Sequence, residues 1–407
     1  MILGAGLYQI PVIEKARRMG FQTFVVSAEG DYPGFKLADK FFEIDVREKE
    51  EILEVAEREQ IDGILTDQTD IAVPTVAYVA EKMNLPGIEY QCALRFTNKY
   101  LMRQACEEIG IPVPKHVKAS TLQEAVERSV SLTFPIILKP VDNQGSRGVV
   151  KVQHAQELEH SGHFDDALAY SRDGSVILEE FVTGEEVVVQ GFANHSEFRN
   201  LVLGDRAYFD IPNLFIPKQT LFPSTLDPEL QNKVLDINTR LISHLSPGFG
   251  ITHSEYLVDQ HSGSIFLIET AIRGGGVFIS SDLVPLACGI DPTTLLIQIT
   301  SGESIDMPAP FPSYAASGYL CFTLPDGVIG RVEGREALPL LPGVHKAFLQ
   351  PLEPGQRTAE MKDKTQRLGP ILVTAKNRSA LEETIGRVKE TLQIEVETEN
   401  GIKDIIW

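Results

Sequence analysis

Glu255-Tyr256-Leu257-Val258-Asp259, followed by Ile265-Phe266-Leu267-Ile268-Glu269-Thr270-Ala271-Ile272-Arg273-Gly274-Gly275-Gly276, is the stretch around which the rest of the chain can be read. Residues 256–258 and 265–268 are short apolar runs that predict two strands, and residues 260–264 predict a five-residue hairpin loop between them. Counting across that loop makes Glu255 the direct partner of Glu269, with both carboxylates on one face. Opposed carboxylates repel each other, so a cation between them is the natural resolution, and oxygen ligands suit Mg2+. A slip of one residue would send the pair to opposite faces and abolish the site. Beyond it, Arg273 is a bidentate reader of planar or tetrahedral oxyanions, and three glycines let backbone approach a reacting group. A flexible loop with a surface arginine is the plainer alternative.

Upstream, Ile137-Leu138-Lys139-Pro140 reads as a buried strand ending in a lysine. The small, polar loop Asn143-Gln144-Gly145-Ser146-Arg147-Gly148 after it can offer free amides to a polyphosphate. Taken alone, an ordinary surface hairpin accounts for the same residues. Glu179-Glu180-Phe181-Val182 and Glu186 flank a bend between two apolar strands, where backbone groups are left for a purine edge and a carboxylate can accept from ribose hydroxyls. A solvated hairpin tip competes with that reading. Lys99 opens a helix, where a cation opposes the helix dipole, although an isolated lysine is most often simply solvated.

A chain of 407 residues exceeds one compact core and predicts roughly two to four lobes. Residues 1–90 alternate strand-like runs (2–3, 23–26, 63–66) with helical periodicity (9–19, 48–60, 72–83), which predicts a parallel sheet wrapped by helices. The pattern breaks over 90–96, where a boundary is expected. Helices at 99–109 and 228–245 then flank strands at 176–181, 186–192, 252–259 and 265–270. A Pro-rich linker is expected at 307–312, followed by strands near 319–323 and 371–374 and a helix at 380–392.

The formal charge of −20 repels nucleic acid and anionic lipid, so neither partner is expected. Cys92, Cys106, Cys288 and Cys321 are widely spaced, as suits reduced core thiols, and no apolar run is long enough to span a bilayer. A cytoplasmic, unexported chain is the expectation. His154, His160 and His163 with Asp165 and Asp166 read as a solvated linker rather than a metal cluster.

Taken in order, Lys99, Lys139, the glycine loop, the Glu179 bend, Glu186, Glu255, Glu269 and Arg273 resemble the ATP-grasp superfamily. The layout is similar to its biotin carboxylase-like members and its L-amino-acid ligases, over most of the chain. The resemblance implies a mixed α/β and α+β molecule. Residues 1–92 would form an N-terminal doubly wound parallel-sheet lobe, 93–312 an ATP-grasp fold of two α+β subdomains clasping ATP, and 313–407 a small C-terminal α+β lobe. Within the last, Arg367-Leu368-Gly369-Pro370-Ile371-Leu372-Val373 looks like the closing lobe of those branches.

Carried across residue by residue, the resemblance implies ATP and Mg2+, with Mn2+ as its substitute. Lys99 and Lys139 would contact phosphates, and Asn143, Gly145, Ser146 and Gly148 would lie in the loop closing over them. Glu179 would meet the adenine amino group, Phe181 and Val182 the adenine edge, and Glu186 the ribose. Glu255 and Glu269 match metal ligands; Arg273 and Lys139 match catalytic groups, Arg273 steadying an acyl phosphate and a substrate carboxylate. Gly275, Gly276 and His253 are further substrate candidates, and Arg331 and residues 210–217 are candidates for a pocket wall. One departure stands out: the family's Glu-x-Asn-x-Arg has Ala271 in place of Asn, so either water fills that position or one ion site is lost.

The implied activity joins a carboxylate to an amine, both small molecules and amino acids by preference, through an acyl phosphate, releasing ADP and phosphate. A homodimer is compatible with it. The alternatives are a bicarbonate-using carboxylase or carbamoyl-phosphate-type enzyme of the same fold, and a non-catalytic nucleotide module motivated by Ala271. A nicotinamide-dependent dehydrogenase could be built on Gly4-Ala5-Gly6, whose GxGxxG is incomplete because position 9 is Gln.

Overall fold

The computed structural model describes the chain except for Gln144, Ser146, Ser196, Asn213 and residues 308–314, and the side chain of Thr365. Of the expected 307–312 linker, only Met307 is therefore described.

Strands Ile2–Leu3, Phe24–Ser27 and Lys40–Glu43 form a parallel sheet in that order. Because side chains alternate, Ile2, Val25 and Leu65 face one core with helix Ile10–Arg18, while Leu3, Phe24 and Val26 face another with helices Lys49–Glu59 and Val73–Met83. That is the doubly wound arrangement. The run expected as a strand at 63–66 contributes only a single parallel bridge, Ile2 to Leu65. The expected break at 90–96 is a helix, Tyr90–Thr97, which buries Cys92, Ala93 and Phe96 on one side; Asn98 then caps the next helix, Lys99–Glu108, through Tyr100 and Leu101.

Two antiparallel sheets face one another beyond that point. The smaller has the order His116–Ala119, Val176–Glu180, Ile136–Pro140, Val150–Val152. The larger has eight strands: Ser264–Ala271, Phe249–Asp259, Glu185–Asn194, Glu197–Tyr208, Pro217–Phe222, Ala316–Phe322, Leu368–Ala375 and Val344–Ala347. The C-terminal strands were expected in a lobe of their own, yet they continue this sheet through pairs such as Thr220 with Tyr319. Strands Arg357–Thr358, Gly327–Glu333, Gln393–Thr398 and Gly401–Asp404 form a final sheet, and helix Arg378–Thr391 packs Leu381, Ile385 and Val388 into the adjoining core. Among the described residues no helix is long and apolar enough to cross a membrane.

Candidate active site

A cavity of about 610 Å³ lies between the two facing sheets, lined by Lys139, Glu179, Phe181 and Val182 from the smaller and by Glu186, Arg206, Glu255 and Glu269 from the larger. Glu255 and Glu269 are direct cross-strand partners. The hairpin reaches that register by an unexpected route: Asp259 pairs with Ser264, so the loop is one residue shorter than counted, and a bulge at Ile268 restores the pairing.

Each carboxylate has a cation. Lys99, buried at the start of its helix, donates from Nζ to Glu269 Oε1 at 3.0 Å and to the Asn143 carbonyl at 2.7 Å. Arg206 Nη1 pairs with Glu255 Oε1 and reaches Glu186 at 3.1 Å. Burial opposes ionisation of Glu255, but Arg206 and His253 outweigh it and hold the carboxyl well below the usual range. Burial and the charge of Glu255 push Glu186 up to about 7 despite Arg206, and the Tyr208 hydroxyl donates to it. Among the described residues Oε2 of Glu255 and of Glu269 has no protein partner. Two accessible carboxylate oxygens on one face fit a hard divalent ion, whereas Ala271 is buried and supplies no ligand.

At the other wall, Glu179 is buried with both oxygens occupied. Arg103 holds it from Nε at 2.5 Å and Nη2 at 3.2 Å, and Lys139 Nζ lies 2.5 Å from its second oxygen. Against the cost of burial, the two cations hold Glu179 at about 2. The same burial lowers Lys139, although Glu179 raises it. The role the resemblance gives the Glu179 side chain, toward adenine, meets a carboxylate already saturated by Arg103 and Lys139. Phe181 and Val182 line the cavity, with Lys151 Nζ 3.6 Å over the Phe181 ring. In the glycine loop, Asn143 and Gly145 line the cavity and Ser146 lies outside the described residues. Gly148 (φ +71°) serves packing: a Cβ there would sit 2.9 Å from Tyr170 and 3.2 Å from Ala167.

The Arg273 loop is held from two lobes. Arg273 Nη2 donates to Asp70 at 2.8 Å, and buried Asp67 accepts from the Gly274 amide at 3.0 Å and from the Ser280 and Thr293 hydroxyls. A relay runs through the site: the Gly275 amide donates to Gln190 Oε1 at 3.1 Å, which orients Gln190 Nε2 to donate to His253 Nδ1, leaving His253 Nε2–H to donate to Glu255 at 3.0 Å. Burial lowers His253 to about 4, so the imidazole is neutral. The Gly275 amide, expected on substrate, is thus taken by Gln190, whereas Gly276 faces open space. Val277 and Phe278 both adopt left-handed backbone (φ +61° and +60°), unusual for a β-branched residue, and the Phe278 amide is fixed by Gln68 at 3.0 Å. Arg331 lies outside the site, ion-paired on the surface with Glu333 and Glu395.

Sequence reading missed Arg103, Gln190, Arg206 and Lys364. The last is on a C-terminal turn, and burial with Arg367 nearby lowers its amine to about 8.

Three family models match the chain: an ATP-grasp domain over residues 132–281, an ATP-grasp N-terminal domain over 13–87, and L-amino acid ligase C-terminal domain 2 over 320–397. A protein of Sinorhizobium fredii, y4rH, is 25% identical over 84% of this chain and 70% of its own length. The crystal structure of an L-amino acid ligase from Bacillus licheniformis superposes with a TM-score of 0.81 at 21% identity, covering 98% of both chains. The biotin carboxylase domain of 2-oxoglutarate carboxylase from Hydrogenobacter thermophilus, solved with MgADP and bicarbonate, gives 0.75 at 18% identity over 99% of this chain and 91% of that one.

Proposed function

The chain is an ATP-grasp protein, with that family's domain across residues 132–281 and its fold over nearly the whole length, and from that premise we propose an ATP-dependent ligase that joins a carboxylate to an amine. The observation carrying the reading is the Glu255–Glu269 pair, on one face of a cavity whose opposite wall presents Lys139. The match to the L-amino acid ligase C-terminal domain favours amino acids as substrates over bicarbonate.

In this reading Lys99 and Lys139 bind phosphates of ATP, Phe181 and Val182 present backbone to adenine, and Glu186 takes the ribose hydroxyls. Glu255 and Glu269 would hold a magnesium ion, which would supply screening of the polyphosphate charge. Arg273, braced by Asp70, neutralises the substrate carboxylate and keeps it in line with the γ-phosphorus. A carboxylate oxygen attacks that phosphorus, the bond to the β,γ-bridging oxygen breaks, and its electron pair leaves with ADP. The amine then displaces phosphate from the acyl phosphate. Closure of the glycine loop at Gly145 would exclude water meanwhile.

ADP release measured with Mg-ATP across pairs of amino acids tests this: turnover should need both an acid and an amine. Turnover supported by bicarbonate alone would move the protein to the carboxylase side, and none with any pair would refute ligase activity.

A further inference from the structure

Resting on the ATP-dependent reading above, we propose that Lys364, on the turn leading into strand Leu368–Ala375, binds the phosphoryl group transferred from ATP, making the C-terminal segment part of the nucleotide site. The turn Lys364–Gln366 precedes the strand Leu368–Ala375 of the eight-stranded sheet. It is anchored three residues on by Arg367, whose Nη1 donates to the Pro217 carbonyl at 3.1 Å and which also meets the Tyr8 hydroxyl. From there the Lys364 side chain reaches the glycine loop. Its Nζ lies 3.4 Å from the point where a Cβ on Gly145 would stand, and Cδ and Cε lie 3.8 Å from it.

Three features separate this amine from the other cations of the cleft. Lys99 is paired with Glu269, Lys139 and Arg103 with Glu179, Arg206 with Glu255, and Arg273 with Asp70. The Lys364 amine makes no ion pair or hydrogen bond among the described residues, although the residue as a whole keeps exposed surface beside its enclosed amine. Gly145, which the amine approaches, lines the cavity together with Glu255 and Glu269, and beyond burial the amine feels Arg367 and Arg206, which lower it, and those two carboxylates, which raise it. An ammonium that reaches the glycine loop and makes no ion pair of its own among the described residues is left to take a further anion. The terminal phosphoryl oxygens of ATP are the group that the site's chemistry would bring there. As that group passes from the β,γ-bridging oxygen to the substrate carboxylate, Lys364 supplies charge only and transfers no proton.

Calorimetric titration of the full chain with MgADP and with the magnesium complex of the non-hydrolysable imido analogue of ATP separates the terminal phosphate from the rest. Lys364→Met should weaken the analogue by about 10- to 100-fold and leave MgADP affinity unchanged. Lys364→Arg should restore most of the loss, and Lys362→Met, the same charge change two residues away, should behave as wild type. Equal weakening of both nucleotides, no weakening of either, or a Lys362→Met that matches Lys364→Met overturns the proposal. A wild-type chain that binds neither nucleotide overturns the ATP-dependent reading itself.

Discussion

Glu255 and Glu269 stand opposite each other only because Ile268 is bulged out of the ladder between their strands. Without the bulge, the pairing of Tyr256 with Leu267 would continue to Ile268, and Glu269 would turn to the other face of the sheet. Replacing either carboxylate by its amide keeps the fold and removes half of the pair. Glu255→Gln and Glu269→Gln should each lower ATP turnover by about 100- to 1,000-fold, and the double variant should lose little more than either single one. Nucleotide-dependent ADP release checks this, and strictly additive losses would argue against a shared ion.

Glu179 is buried against two cations, so its removal strands both. Glu179→Leu should destabilise the protein by roughly 3–5 kcal/mol, the cost of leaving buried charge unpaired. Urea unfolding measures it. A loss below 1 kcal/mol would mean that water reaches Arg103 and Lys139 and that the wall is looser than the geometry implies.

His253 gives a pH signature with a defined sign. Its ordinary value near 6.5 falls to about 4 in the fold, so between these values the unfolded chain binds more protons. The contribution to stability is complete above pH 6.5 and declines as pH falls toward 4, by roughly 3 kcal/mol at most. Glu186, raised to about 7, acts in the opposite direction, losing stability as pH rises from 4.5 toward 7. The difference between wild type and His253→Gln isolates the first effect. Nitrogen NMR of labelled histidine should show a neutral ring at pH 6 with its proton on Nε2.

Gln190 joins the glycine loop to the Glu255 carboxylate through His253. Gln190→Leu leaves the Gly275 amide and His253 Nδ1 without partners, which should cost about 1–3 kcal/mol for each and release the imidazole tautomer. The turnover number should fall more than nucleotide affinity. A variant with normal turnover and only a lower melting temperature would confine Gln190 to a structural role.

Lobe coupling is testable at Asp67, whose carboxylate gathers Gly274, Ser280 and Thr293. In a calorimetric scan the wild-type chain should unfold in one transition and Asp67→Ala in two, as the N-terminal sheet loses its grip on the Arg273 loop. One unchanged cooperative peak would show that the apolar contacts of Ile297 suffice.

Much of the fold was legible because alternation and helical periodicity are local: the helix at Pro228–Leu245 and the strand pair around Glu255 follow from side-chain spacing alone. Counting failed where backbone irregularity intervened. The pairing of Glu186 with Arg206 depends on a second bulge at Leu201, without which Glu186 would face Asp205, so no count across that hairpin could find Arg206. Lys364 was hidden for another reason: it is more than two hundred residues from Gly145 in sequence and meets it only through tertiary packing. The helix at Tyr90–Thr97 was missed because eight residues with three buried positions give too short a period to recognise.

The eight-stranded sheet binds the Glu255–Glu269 hairpin, the Arg206 strand and the C-terminal strands in one hydrogen-bonded surface, so none of these can swing away from the others without breaking a ladder. Among the described residues the four-stranded sheet bearing Lys139 and Glu179 shares no ladder with it. A bulky ligand would be admitted by moving the smaller jaw, with Glu255, Glu269 and Lys364 riding together on the larger one.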